Sequence, residues 1–563
     1  MPSPSTTRRF ADRARALHAA GRTQEAIGLL RDGLGRGETD PLLLSFLGAL
    51  EFFAGQTETG LEHGRQAAAL APDNAVILGN YGAQLVASGL ADAAVAVLRK
   101  ALDLDPASSE ARLDLARALL VGERYADAAE TARSYVAARP DDPRGYGILF
   151  ETHLRENRFA AAGDVCARLL ARDPDSAEAL GGLVDLSIAS GDLAAACRRV
   201  EALVRDRPSL VNGSILARRI DLAALVEGPD GAAALCADIL RGNRGATGIA
   251  KIRRSMLLMG GRFEEGWRAF GEEGDRLTKI ASLPHRAWRG ESNEDRTLLI
   301  RGAEGVGEQL LYSQLFSRTR KRVRRLIVEC DGRLLPVFTR TYADIEFVGW
   351  TTPPQKSLFG ADIDMQCLPR DLGGLFIRAM DDIEGPPRNL AGNPEGAAVA
   401  RALRTRYPGK RLVGISWRSS SHAGGRKSVP LTQWSEILSD PRAAFVNLQY
   451  GSTDSEIGLV RDRLGVNVVA PESVDMTDDI DRAMGLISGL DLVITVSNVT
   501  AHYAGNAGVP CWVLVGKSPL WHWFTGRSDS PWYPSVRLYR QLPTEPWAPV
   551  LQRVAADLRA FAG

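Results

Sequence analysis

A period of 34 residues governs the first two hundred positions of this chain. Pro72, Pro106, Pro140, Pro174 and Pro208 follow one another at that interval. In the same frame a small residue recurs at Ala26, Gly60, Ala94, Ala128, Ala162 and Ala196. Gly21, Gly55, Gly89 and Gly191 mark an intervening turn, with Glu123 and Asn157 in the two remaining slots. Each landmark has a mechanical reading. The small side chain lets a second helix approach the first, glycine supplies the turn, and proline stops the second helix before the next unit begins. One such unit cannot bury its own apolar face, so the units must stack.

Two amphipathic helices per 34 residues is the signature of tetratricopeptide repeats. The repeats are expected from about residue 7 to 208, followed by further helical pairs to 271. The segment MLLMGGRFEEGWRAFGEEG reads as the pair that caps the solenoid. Stacked helix pairs present a concave groove that typically takes a peptide or protein. The alternative is a spacer or an oligomerisation surface.

The second half has a different composition. All ten tryptophans fall between Trp267 and Trp547. After an expected linker over 272–296, short apolar runs alternate with helical stretches: 297–302, 325–330, 345–350, 362–368, 411–417, 444–450, 466–470, 491–496 and 511–516. Continuous apolar strands between helices imply parallel sheets covered on both faces. The fold class expected is therefore α + α/β: a helical solenoid followed by two Rossmann-like lobes, 297–405 and 406–563. The second lobe would include a terminal helix. Ligands of such sheets bind beyond the carboxyl ends of the strands.

Charge and composition narrow the function classes. Sixty-nine basic against 68 acidic residues give a formal charge of +1, which offers no general attraction to nucleic acid. Six cysteines lie far apart with no CxxC pair, which argues against a disulfide framework or zinc site and for a reducing compartment. The N-terminus has no apolar leader core, and no stretch approaches a membrane span. A cytoplasmic location is expected.

Three loops carry candidate chemistry. The first follows strand 297–302 and runs from Gly302 to Gln309, with Glu304 and Glu308 as carboxylates able to deprotonate a hydroxyl. The second follows strand 411–417. Its Arg418, Ser419, His422, Arg426, Lys427 and Ser428 form a candidate anion cradle. The third follows strand 491–496, where Ser497, Asn498 and Thr500 open a helix carrying His502, a geometry suited to phosphate. Each has a plainer reading: helix-start glutamates, a solvated basic loop, and ordinary capping. Asp362 and Asp364 form a DxD inside an expected strand, with both carboxylates on one face, and no metal is assigned to them.

The order of these segments resembles a known family. Ala287-Trp288-Arg289-Gly290, the loop from Leu298 to Glu308, Gly414 to Trp417, Arg426 to Leu431, Leu448-Gln449, Asp491 to Pro510 and Ser530 to Gln541 follow one another. Together with the repeats, they are similar to bacterial flagellin O-glycosyltransferases of the tetratricopeptide type. The GT-B portion of those enzymes is similar to O-GlcNAc transferase and the heptosyltransferases. The resemblance implies that residues 1–271 hold flagellin and that the two lobes transfer a sugar from a nucleotide donor, without a metal, to Ser or Thr. It implies Glu308, with Glu304 second, as base. Arg418, Ser419, Lys427, Ser428, Ser497, Asn498, Thr500 and His502 would then bind the donor.

Two positions depart from the family pattern. Gly307-Glu308 stands where relatives carry Gly-Asp, and Ser497-Asn498 where many carry Asp-Thr. Loss of that anion suits a donor with its own carboxylate, so a CMP-activated nonulosonic acid of the pseudaminic type is the favoured donor. UDP-GlcNAc or ADP-heptose chemistry on another protein or glycan is the alternative. An adaptor with an inactive transferase half is the third reading.

Overall fold

A computed structural model describes residues 4–34, 40–122, 124–243, 246–272, 283–302, 304–419, 427–542 and 545–561. The chain divides into two compact units, Met1–Arg219 and Ile220–Gly563.

The first unit is a stack of helix pairs, and the 34-residue landmarks do the work assigned to them. Gly21, Gly55, Gly89, Gly191 and Asn157 all lie at positive φ, between 56° and 95°. That region costs most side chains energy, and Gly and Asn tolerate it best. Glu123 lies outside the described residues. Ala26, Ala94, Ala128, Ala162 and Ala196 are fully buried. At Gly60 a Cβ would sit 2.4 Å from the Phe52 backbone nitrogen, so even alanine is too large there.

A second 34-residue ladder escaped the sequence reading. Asp40, Asn74, Ser108, Asp142 and Ser176 each cap the first helix of a repeat, accepting hydrogen bonds from backbone N–H groups of its first turn. The next position in frame is Leu210, inside the short turn Pro208–Leu210. Asn212 takes over the cap two residues late, accepting from Ser214 and Ile215. There the regular frame ends.

The second unit contains two five-stranded sheets, every neighbouring pair parallel. The first comprises β1 (Arg286–Ala287), β2 (Asn293–Ile300), β3 (Val323–Cys330), β4 (Glu346–Gly349) and β5 (Met365–Cys367), in the order β1-β5-β2-β3-β4. The second comprises β6 (Arg411–Ser416), β7 (Ala443–Asn447), β8 (Leu492–Val496), β9 (Cys511–Val515) and β10 (Val536–Arg540), in the order β10-β9-β8-β6-β7. In each the chain winds outward on one side, then returns to the other. This creates a switch point between β2 and β5, and another between β6 and β8.

Four sequence expectations need correction. The capping pair expected at the end of the solenoid belongs to the second unit. Leu258, Phe263 and Trp267 share a core with Trp288, Tyr312 and Trp523. The Trp267 indole donates to the Ile377 carbonyl at 3.0 Å, and its ring fills the space that Gly373 leaves. The expected linker 272–296 contains β1 and the start of β2. Residues 466–470 form no strand, only a bridge between Val469 and Val446. Finally, Asp362 and Asp364 precede β5, with separate partners: Arg325 at 2.6 Å for the first, Arg296 at 2.7 Å and the Thr297 N–H at 2.8 Å for the second.

The close contact at Gly60 yields a paired test. Gly60→Ala is expected to lower the stability of the repeats by about 1–3 kcal/mol through overpacking. Gly79→Ala, where a Cβ meets nothing within 4 Å inside a helix, is expected to hold or raise it by up to about 1 kcal/mol. Urea denaturation followed by circular dichroism separates the two.

Candidate functional site

The loops after β2 and β8 come together in the second unit. Gly305 precedes the helix Val306–Tyr312, and Asn498 caps the helix Val499–Ala507. A Cβ on Gly307 would lie 3.2 Å from Cδ2 of His502. Asn506 also reaches across, donating to the Leu310 carbonyl at 3.3 Å. The carboxyl ends of both sheets therefore meet at a backbone made bare by glycine.

On the first sheet the loop is anchored from beneath. Arg301 and Glu329 form a buried ion pair, Nε to Oε2 at 3.0 Å, with side chains 1% and 0% exposed. The same Oε2 accepts the Gly302 N–H at 3.0 Å. Gly302 itself admits no side chain, because a Cβ would stand 2.7 Å from the Glu329 carbonyl oxygen. The two candidate bases then diverge. Glu304 is buried, its carboxylate 3.7 Å from the equally buried Arg370 guanidinium. Glu308 is exposed in the first helical turn, next to Gly307. Both carboxylates act on Tyr312, whose hydroxyl is pushed well above its ordinary range, chiefly by burial.

On the second sheet the strands β6 and β8 are tied across the switch point by Asn498. Its amide donates to Ser416 Oγ at 2.8 Å and to the Arg418 carbonyl at 3.0 Å. Its oxygen accepts from Thr495 Oγ1 and from the Thr500 N–H, each at 3.0 Å. Gln449 supports the other side of the loop, accepting from Ser416 Oγ, Trp417 N and Arg418 N at 2.9–3.1 Å. Asn498 is thus a strap and a cap, and its hydrogen-bonding capacity is used within the protein.

The remaining donor-site candidates separate in the same way. The Arg418 guanidinium is turned to Glu456 at 3.0 Å and to the Ser452 carbonyl at 2.6 Å. Ser428 Oγ accepts the Ser419 N–H at 3.0 Å, closing the base of the loop. His422 and Arg426 lie outside the described residues. Ser497 Oγ accepts the Trp523 indole N–H at 2.8 Å. Thr500 is 1% exposed, and its hydroxyl has no hydrogen-bond partner among the described residues. His502 Nδ1 shares a hydrogen bond with the Tyr533 hydroxyl at 2.8 Å. Burial, with help from the charge of Lys427, lowers the His502 imidazole to about 4.

Sequence reasoning missed two groups here. His522 is 5% exposed, its ring 5.1 Å from His502 and 4.7 Å from Trp523, and its Nε2 has no hydrogen-bond partner among the described residues. Burial, His502 and Lys427 all keep it neutral. The aromatic run Trp521-His522-Trp523-Phe524 was the available signal. The second group joins Arg254 and Phe270, on helices reassigned from the repeats, to Arg370 of the helix Pro369–Phe376. Arg254 lies 3.9 Å from the Phe270 ring centre and Arg370 lies 5.3 Å from it, which brings cations to the edge of the first loop.

A tetratricopeptide repeat family model matches residues 85–149 and 153–211. Protein FlbA of Caulobacter vibrioides is 29% identical over 459 residues, which cover 77% of this chain and 76% of that protein. Among solved structures, a tetratricopeptide repeat protein from Parabacteroides merdae is 15% identical. The match covers 44% of this chain and 98% of that one, with a TM-score of 0.37. A thermophilic tetratricopeptide protein from Thermus thermophilus is 23% identical over 33% of this chain and 99% of its own, with a TM-score of 0.27.

Two measurements test this geometry. Arg301→Met leaves Glu329 as a buried charge without its partner and is expected to cost about 3–5 kcal/mol, read as a fall in Tm. For His502 the sign follows from proton uptake. An imidazole lowered in the folded state binds protons first when unfolded, so stability falls as pH drops from about 6.5 toward 4. In His502→Gln that acid-side loss is expected to shrink by more than ~1 kcal/mol, measured by urea denaturation between pH 7 and 4. The chain carries tetratricopeptide repeats and is similar to Protein FlbA over a larger share of its length than either compact unit supplies.

Proposed function

We propose that this protein is a GT-B type O-glycosyltransferase acting on protein. Its repeats hold flagellin, and its second unit transfers a sugar from a nucleotide donor to Ser or Thr. The observation that carries the reading is the meeting of Gly307 and His502. There the helix that follows the β2 loop and the helix after β8, each next to a switch point of its own parallel sheet, pack so closely that a Cβ on Gly307 would stand 3.2 Å from the His502 ring. Lys427, the buried Thr500 hydroxyl and the N-terminus of the helix Val499–Ala507 supply positive potential and donors for a leaving phosphate. This set is the reason for proposing a reaction without a metal ion.

Glu308 is the preferred base. Glu304 is buried with its carboxylate 3.7 Å from the Arg370 guanidinium, out of reach of an acceptor, whereas Glu308 stands exposed beside Gly307. The acceptor hydroxyl gives its proton to that carboxylate. Its oxygen attacks the anomeric carbon, and the bond from that carbon to the nucleotide phosphate breaks. The donor read as most fitting is a CMP-nonulosonate, because Ser497 and Asn498 place no anion where a donor carboxylate would approach.

A second reading, an adaptor with an inactive transferase half, draws on the closure of Arg418 onto Glu456 and of Ser497 onto Trp523.

The full chain, flagellin and a panel of CMP-, UDP- and ADP-sugars separate these readings by intact mass. Added mass with the CMP-nonulosonate, undiminished by EDTA, is expected. Flagellin bound but unmodified by every donor would establish the adaptor. Glu308→Gln is expected to slow transfer by on the order of 10²–10⁴ with donor affinity nearly intact.

A further inference from the structure

The repeats contain a cavity of about 240 Å³ that the transferase reading does not use. It opens between the first helices of three consecutive repeat positions, Pro143–Arg155, Ala177–Ala189 and the start of Gly213–Val226. The helix Phe159–Leu170 supplies Val165, Cys166 and Leu169. Glycine makes the space. A Cβ on Gly147 would meet nothing within 4 Å, and one on Gly182 would reach Cys166 Sγ at 3.0 Å.

The walls are chemically divided. Phe150, Val165 and Leu169 are apolar, while Glu151, Glu178 and Asp185 bring three carboxylates against the single guanidinium of Arg218. Glu151 and Asp185 occupy the same place in successive repeats, 34 residues apart. Asp185 binds Arg218 at 2.7–3.0 Å, and Glu151 binds Arg155 at 2.7 Å on the rim. Glu178 is exposed at the start of its helix and makes no ion pair among the described residues. Burial pushes the Asp185 carboxyl up against the pull of Arg218, and the charge of Glu151 adds to the rise. A cation entering the cavity relieves both.

We propose that this cavity holds the side chain of an arginine or lysine presented by an extended polypeptide lying along the repeats. The volume is below the ~300–1,000 Å³ of small-molecule pockets and fits one long side chain. The methylene stem packs on Phe150 and Leu169 while the cation reaches the carboxylates. The inference rests on reading the repeats as the part that holds the acceptor, and it adds what the acceptor must present.

Its test reads binding alone, so a failure of transfer leaves it untouched. Fluorescent twelve-residue Gly/Ser peptides carry a central Leu-X-Leu in which X is arginine, citrulline or glutamate. Anisotropy is measured with the full chain, with Gly147→Trp, and with the double variant Glu151→Gln/Glu178→Gln. Gly147→Trp fills the cavity from a helical position with open space above it, and unchanged helicity confirms its fold. The arginine peptide is expected to bind about 10-fold tighter than the citrulline peptide, with the advantage lost in both variants. Equal affinity for arginine and citrulline, no binding of the arginine peptide, or a preference that survives both variants would overturn the proposal.

Discussion

Everything the second unit does at its strand ends depends on one saturated amide. Parallel strands on either side of a switch point diverge beyond their carboxyl ends, and their loops would drift apart without a tie. Asn498 supplies it. Its nitrogen holds the β6 side through Ser416 and Arg418, and its oxygen holds the β8 side through Thr495 while capping the next helix. An aspartate in that place cannot donate to Ser416 and the Arg418 carbonyl. The neutral amide therefore exchanges a charge near the helix N-terminus for rigidity across the gap. That rigidity fixes the Thr500 hydroxyl and His502 relative to β6.

The first sheet solves the same problem with charge. Arg301 and Glu329 are buried together, and their pairing also fixes the Gly302 N–H. A buried pair of this kind contributes little net stability compared with an apolar packing, yet removal of one member is costly. Its value here is positional: it sets the direction of the loop that carries Glu304, Gly307 and Glu308.

The repeats were legible because their landmarks are backbone necessities. Positive φ at a turn and a missing Cβ at a helix crossing each select a residue type that is visible in the letters. The central strands were legible for a similar reason, since strands buried on both faces read as unbroken apolar runs. The short edge strands β1 and β10 were not, because β1 is exposed and β10 is half polar. The last helix pair misled because helix-turn-helix rhythm says that a face is apolar and nothing about what covers it. Trp267 buries that face against Gly373 and Ile377, more than a hundred residues away.

Site residues were harder to read than the fold, and the reason is chemical. A loop rich in Arg, Ser and Asn looks like an anion cradle whether its groups face a ligand or one another. Arg418 and Asn498 face one another's neighbourhood: the first is held by Glu456, the second by the strand ends. Burial first, and the charge of Lys427 in addition, depress the basicity of both buried imidazoles. His502 and His522 are held neutral at physiological pH chiefly by their burial, able to accept or donate a hydrogen bond without adding charge. On the function proposed above, Lys427 and the helix N-terminus would supply the positive potential at the meeting of the two sheets, and the neutral imidazoles would shape the space in which an anion sits.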